Sequence, residues 1–165
     1  AQGSFDLGGV KIPYIVLYAI IAVALMWFLW NKTRFGKNLF AVGGNAEAAA
    51  VSGINVGKMI ILVYILAGLL YGFGASLEAA RIGSATNNTG NGYELDAIAA
   101  CIVGGLSFSG GIGSIAGIVT GVLIFQVIAY GLTFVGVNAY LQFIIKGLII
   151  VTAVAIDNRK YIKRK

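Results

Sequence analysis

Long uncharged apolar runs alternate with short polar segments along this chain, on the length scale of membrane helices. The longest such run, Ala97 to Ile145, covers 49 residues and is broken every few positions by glycine or another small residue. Burying it calls for a solvent that is itself apolar, and the small residues suit helices that pack closely inside that solvent. Tyr14 to Trp30 forms a span of 17 uncharged residues, about 26 Å as a helix, with Pro13 suited to its first turn. Met59 to Leu77 gives a second span of 19 residues. The remainder divides into spans at 94–108, 113–131 and 139–156, of which 94–108 has the shortest apolar part. The pattern predicts an all-α polytopic membrane protein over 1–165, with about five transmembrane helices and a polar loop at 31–58.

Charge placement predicts the orientation. The loop 31–58 holds Lys32, Arg34, Lys37 and Lys58 against Glu47, and the tail from Asp157 to Lys165 holds five basic residues and one acid. Short basic loops and tails mark the cytoplasmic face, so both are expected there, which requires an even number of crossings between them. Trp27 and Trp30 precede Lys32 and Arg34, the order found where a helix leaves the inner interface. The formal net charge of +6 therefore belongs to membrane topology, and no nucleic-acid partner is expected. The first apolar run lacks a basic segment before it and a cleavage box after it, so it reads as a span and not as a secretory signal. The chain opens on a short stretch with only Asp6 and Lys11 charged before the first span, and is expected to be a piece of a longer protein entered from the outer side.

Within the loop, Asn45 to Gly53 reads as a two-turn helix. Asn45 can cap its start, Glu47 suits the positive end of the dipole, and Gly53 can take the left-handed conformation that ends it. Such a helix is marginal alone in water. Its alanine face loses little side-chain entropy on docking, which suits insertion into a groove on another protein. No aromatic residue lies between Val42 and Lys58, so the segment is a poor lipid binder.

Several motifs carry a family resemblance. Ala41-Val42-Gly43-Gly44-Asn45, Glu47-Ala48-Ala49 and Ser52-Gly53 resemble the coupling loop of bacterial ABC importer permeases of the monosaccharide class. Arg81-Ile82-Gly83-Ser84-Ala85, Gly92-Tyr93-Glu94-Leu95-Asp96-Ala97, Gly104-Gly105, Ser109-Gly110-Gly111, Gly131-Leu132, Gly136-Val137 and Ile145-Lys146-Gly147 resemble the same family. The likeness runs from about Phe40 to the tail. Ser84-Ala85-Thr86-Asn87-Asn88, Cys101 and Phe108-Ser109-Gly110-Gly111 are more similar to the galactose/methyl-galactoside branch than to the ribose branch.

The resemblance implies the C-terminal half of a permease in the bacterial inner membrane, importing a hexose. Asn45, Glu47, Ala48, Ala49, Ser52 and Gly53 would dock on a cytoplasmic ATPase subunit. It further implies a second permease copy as homodimer partner and a periplasmic sugar-binding protein. This chain would bind no cofactor, and ATP with Mg would sit on the ATPase. Ribose or another small sugar-like solute is the alternative cargo, and a passive channel the alternative mechanism.

Inside the membrane, Gly113, Gly117 and Gly121 recur every four residues, and Gly68 and Gly72 make another such pair, the spacing of close helix packing. Gly111-Ile112-Gly113-Ser114-Ile115-Ala116 fits a dinucleotide-binding pattern, but no strand precedes it and no suitably spaced acid follows. Lys146 falls mid-span, where a lysine costs roughly 2.5–3.5 kcal/mol, so it should face Gln142, a free carbonyl, an acid on another span or a wet cavity. Glu78, Arg81, Tyr93, Glu94 and Asp96 are expected near outer span ends, as an outer gate or a contact for a binding protein. Glu78 and Arg81 can pair on one helical face, whereas Glu94 and Asp96, two apart, point in different directions. No catalytic residue and no metal site is expected: the chain has no histidine, a single cysteine and scattered carboxylates, which argues against a membrane-embedded enzyme.

Overall fold

The computed structural model describes residues 3–7, 10–84 and 86–162, so Ala85 and the end of the basic tail lie outside the described residues. The chain divides into two compact units, Ala1–Thr89 and Gly90–Lys165.

The first unit opens on a small antiparallel hairpin that was not expected, β1 (Ser4–Leu7) and β2 (Val10–Pro13), with Ser4 opposite Pro13. Pro13 leads directly into α1 (Tyr14–Lys32), whose 19 residues rise about 28 Å, near the thickness of a hydrocarbon core. Lys32 closes α1 with its ammonium 5.6 Å from the Trp27 ring centre. Thr33 then takes an extended backbone and its Oγ1 accepts from the Gly36 amide at 3.4 Å, starting α2 (Arg34–Gly44). A methyl on Gly36 would run into the Trp30 carbonyl, so the sharp bend between α1 and α2 requires glycine there. The short α3 (Ala46–Val51) follows, and α4 (Val56–Ile82) begins under the cap of Asn55, whose Oδ1 accepts from the Lys58 amide at 2.9 Å. Tyr18 on α1 meets Phe73 on α4 edge to face at 6.3 Å, so the two helices run antiparallel with the polar loop at one end.

In the second unit, α5 (Tyr93–Val103), α6 (Ile115–Phe134) and α7 (Ala139–Ile162) share a core of Ala99, Ala100 and Phe125, with Ile149 and Ile150 packed against it. The span expected at 94–108 is realised as a helix of 11 residues that stops at Val103. That is about 16 Å, roughly half a hydrocarbon core. The stop is a Schellman turn: Gly105, at φ 84°, donates to Ile102 O and Leu106 donates to Cys101 O. The same turn ends α3 through Gly53 and α6 through Gly136.

Helix α6 starts at Ile115 because the Ser114 hydroxyl caps it, accepting from the Gly117 amide at 3.0 Å. Three described helices, α1, α4 and α6, are long and apolar enough to cross a membrane, and the apolar part of α7 runs over Ala139–Ala155. Large apolar side chains lie exposed along them, among them Ile20, Ile61, Leu123 and Leu148. Such a surface suits lipid and not water.

Candidate functional site

The polar loop is built as expected at its ends. Asn45 Oδ1 accepts from the Ala48 amide at 2.9 Å, Ser52 Oγ donates to Ala48 O at 2.8 Å, and Gly53 sits at φ 85°. One expectation changes. Ala49 was placed on the docking face, but it is 4% exposed. A helix of six residues is not stable alone and must bury one face to hold its place. Here Ala49 supplies that face, in a loop where α3 packs on α2 and α4. The outward face is Glu47, Ala48, Ala50, Val51 and Ser52, with Val51 91% exposed.

In the second unit the glycines expected to pack helices do so in part. A methyl on Gly117 would run into the Gly104 carbonyl, and one on Gly121 into the Ala100 carbonyl. Helices α5 and α6 therefore touch backbone to backbone and run antiparallel, Gly104 lying beside the start of α6 and Ala100 further along it. Gly113 precedes α6 and lies against the Leu106 side chain. Gly68 and Gly72 on α4 face open space instead, with nothing within 4 Å of a Cβ at either position. Ala100 and Gly104 had no individual part in the expected packing set, although their four-residue spacing carries the same signal as Gly117 and Gly121.

Because α5 is short, its first turn lies beside the middle of α6. There Lys146 of α7 meets Asp96 of α5, Nζ to Oδ1 at 2.6 Å. The ammonium also lies 5.9 Å from the Phe125 ring centre and 5.7 Å from that of Phe143. The Lys146 side chain is 14% exposed and that of Asp96 34%. Oδ1 is enclosed, and the Lys146 ammonium is the charge that faces it. Of the partners expected for Lys146, an acid on another helix is the one found. Gln142 uses its amide on Val137 O at 3.0 Å.

The expected outer cluster divides accordingly. Glu78 and Arg81 form a two-pronged ion pair near the end of α4, at 2.7 and 3.1 Å. Tyr93 and Glu94 are exposed on the first turn of α5, while Asp96 turns to Lys146 beside mid-α6. Among the described residues no group of three or more histidine, cysteine, aspartate or glutamate side chains could hold a metal ion.

Apolar spanning helices, a capped polar loop and a glycine-packed helix pair define a multi-pass membrane protein. A family model described as "Branched-chain amino acid transport system / permease component" matches residues 2–154, and the chain belongs to that permease family. It is 64% identical over 165 residues to the galactose/methyl galactoside import permease protein MglC of Escherichia coli strain K12, covering all of this chain and 49% of that protein. The protein of the same name in Treponema pallidum strain Nichols is 55% identical over 94% of this chain and 29% of its own length. The ribose import permease protein RbsC of Bacillus subtilis strain 168 is 41% identical over 92% of this chain and 47% of its own length. The chain thus spans about half the length of the MglC protein of Escherichia coli. No solved structure matches it.

Proposed function

We propose that the chain forms the C-terminal half of a permease subunit that imports galactose or a methyl galactoside across the bacterial inner membrane, driven by ATP. The observation that carries this reading is the 64% identity to a galactoside import permease across every residue of the chain. Identity to ribose permeases is 41–43%, which favours a galactoside over a pentose.

In this reading the loop 31–58 and the basic tail lie on the cytoplasmic side, where their positive charge belongs. Helix α5 is then the inner half of a crossing. The exposed face of α3 docks on a separate ATPase subunit that binds ATP and Mg, and Val51 is the apolar knob that enters its groove. A second permease copy completes the path, and a periplasmic binding protein delivers the sugar. Glu78 with Arg81 belongs to the outer contacts, Tyr93 and Glu94 sit on the first turn of α5 at the mid-membrane depth of Asp96, and substrate passes by alternating access.

Reconstitution of the complete permease with its ATPase and binding protein in liposomes tests the proposal. Uptake of labelled methyl galactoside that requires ATP and all three components is the expected result. Uptake without ATP would make the protein a channel, and uptake of ribose in preference to galactoside would reverse the cargo.

A further inference from the structure

The charged groups of the second unit lie deep within the apolar length of its helices. Lys146 stands beside the Phe125 ring of mid-α6 and holds Asp96, and Glu94, two residues earlier on α5, is exposed at the same level. A second contact fixes that depth. Gly92, at φ 85°, leads into α5 so close to α7 that a Cβ there would lie 3.0 Å from the Phe143 ring. Charged groups at such a depth face a bundle interior or a water-filled cavity, so the first turn of α5 is not a lipid-facing surface.

The two oxygens of Asp96 differ. Oδ1 is enclosed against the ammonium, yet the side chain as a whole is 34% exposed. The exposure therefore falls on the side of Oδ2. Lys146 balances the charge of the carboxylate, which leaves an open, strong acceptor with little net field around it. Such a group suits the hydroxyl of a neutral solute better than it suits a cation. Asp96 and Ala97, three and four residues after Tyr93, share its face of α5. Ala97 is exposed and adds almost no bulk beside the carboxylate. The Tyr93 side chain, 54% exposed, offers a ring for the apolar C–H side of a pyranose.

We propose that the first turn of α5 lines the water-filled path, where Asp96 Oδ2 accepts a hydrogen bond from a sugar hydroxyl beside the Tyr93 ring. Lys146 holds the carboxylate in place. The cargo in this proposal rests on the transport reading, whereas the lining rests on the geometry alone.

The test uses the full permease in nanodiscs, with Cys101→Ala to remove the native thiol. Ala97→Cys should react with a charged, water-soluble thiosulfonate, because the thiolate is the attacking form and needs water around it. Leu123→Cys, at an exposed apolar position on α6, should not react. Uptake is then compared for methyl galactoside and each of its monodeoxy analogues, with the ATPase and binding protein present. One analogue should lose roughly ten- to a hundredfold in kcat/KM, the range for a hydrogen bond to a charged group. Asp96→Ala combined with Lys146→Met leaves no orphan charge and should abolish that discrimination. Tyr93→Leu should lower kcat/KM roughly two- to tenfold, and Tyr93→Phe should keep it near the parent value. These two variants, at an exposed position, carry the comparison should the double variant fail to insert. Three results would overturn the proposal: Ala97→Cys as unreactive as Leu123→Cys, discrimination retained in the double variant, or equal uptake by Tyr93→Leu and Tyr93→Phe. Labelling does not depend on transport. A parent protein that imports no sugar while Ala97→Cys is labelled would therefore refute the transport reading and leave the lining by α5 standing.

Discussion

Small residues do opposite work in two parts of this molecule. Between α5 and α6 they face inward, so closely that a methyl on Gly121 would strike the Ala100 carbonyl. In α3 most of them face outward: Ala48 and Ala50 are exposed beside Val51, and only Ala49 is buried. The first arrangement fixes a body of three helices. The second leaves a flat, low-entropy surface that none of the described residues covers. Alanine and glycine content therefore says little by itself, and the covered or bare state of the face separates the packed seam from the surface proposed for docking.

The largest expected effect comes from filling the seam. Gly121→Val should destabilise the second unit by at least about 3 kcal/mol, the upper range for overpacking, seen as loss of the protein from detergent extracts or a sharply lowered Tm. Lys146→Met follows. It should cost about 3 kcal/mol, the low end for stranding a buried charge, because the Asp96 side chain is 34% exposed; Tm in detergent measures it. In the loop, Ala49→Asp should weaken the fold of the loop itself by about 2 kcal/mol through an unpaired buried charge. Proteolysis between α2 and α4 would rise. Val51→Asp, on the outward face, should leave proteolysis unchanged and abolish ATPase binding in a pull-down. If these two variants behaved alike, the division into inward and outward faces would fail. Asn45→Ala removes one cap and should cost about 1 kcal/mol. Smallest of all, Gly68→Ala should change Tm by less than about 1 kcal/mol equivalent, because its Cβ meets open space in this chain. A loss as large as that of Gly121→Val would show that another subunit or segment covers α4.

Much of the fold was readable in advance where hydrophobic length and capping agreed. Pro13, the first two spans and the ends of α3 at Asn45 and Gly53 all follow from local chemistry. Where the two signals conflicted, length prevailed wrongly: the apolar run to Phe108 hid the Schellman stop at Gly104-Gly105. Helix α2 lies hidden within the polar loop 31–58: Gly36, Asn38, Gly43 and Gly44 lower its helix propensity, and packing on α1, α3 and α4 holds it. The hairpin was signalled only by Gly8-Gly9 between two short strands. Lys146 was identifiable from its cost in the membrane, but its partner was not. Asp96 reaches it only because α5 is roughly half the length of a full crossing, which places the acid beside mid-α6 and not at an outer end. The burial of Ala49 also escaped, since one alanine among four cannot be singled out before the helix is docked.

The most direct test of the central claim, that the bare face of α3 is a docking surface on the ATPase side, is thiol labelling of Val51→Cys in a Cys101→Ala background with a membrane-impermeant reagent. Labelling of inside-out vesicles only, and protection when the ATPase is bound, is the predicted result. Labelling from the periplasmic side, or labelling unchanged by bound ATPase, would contradict it.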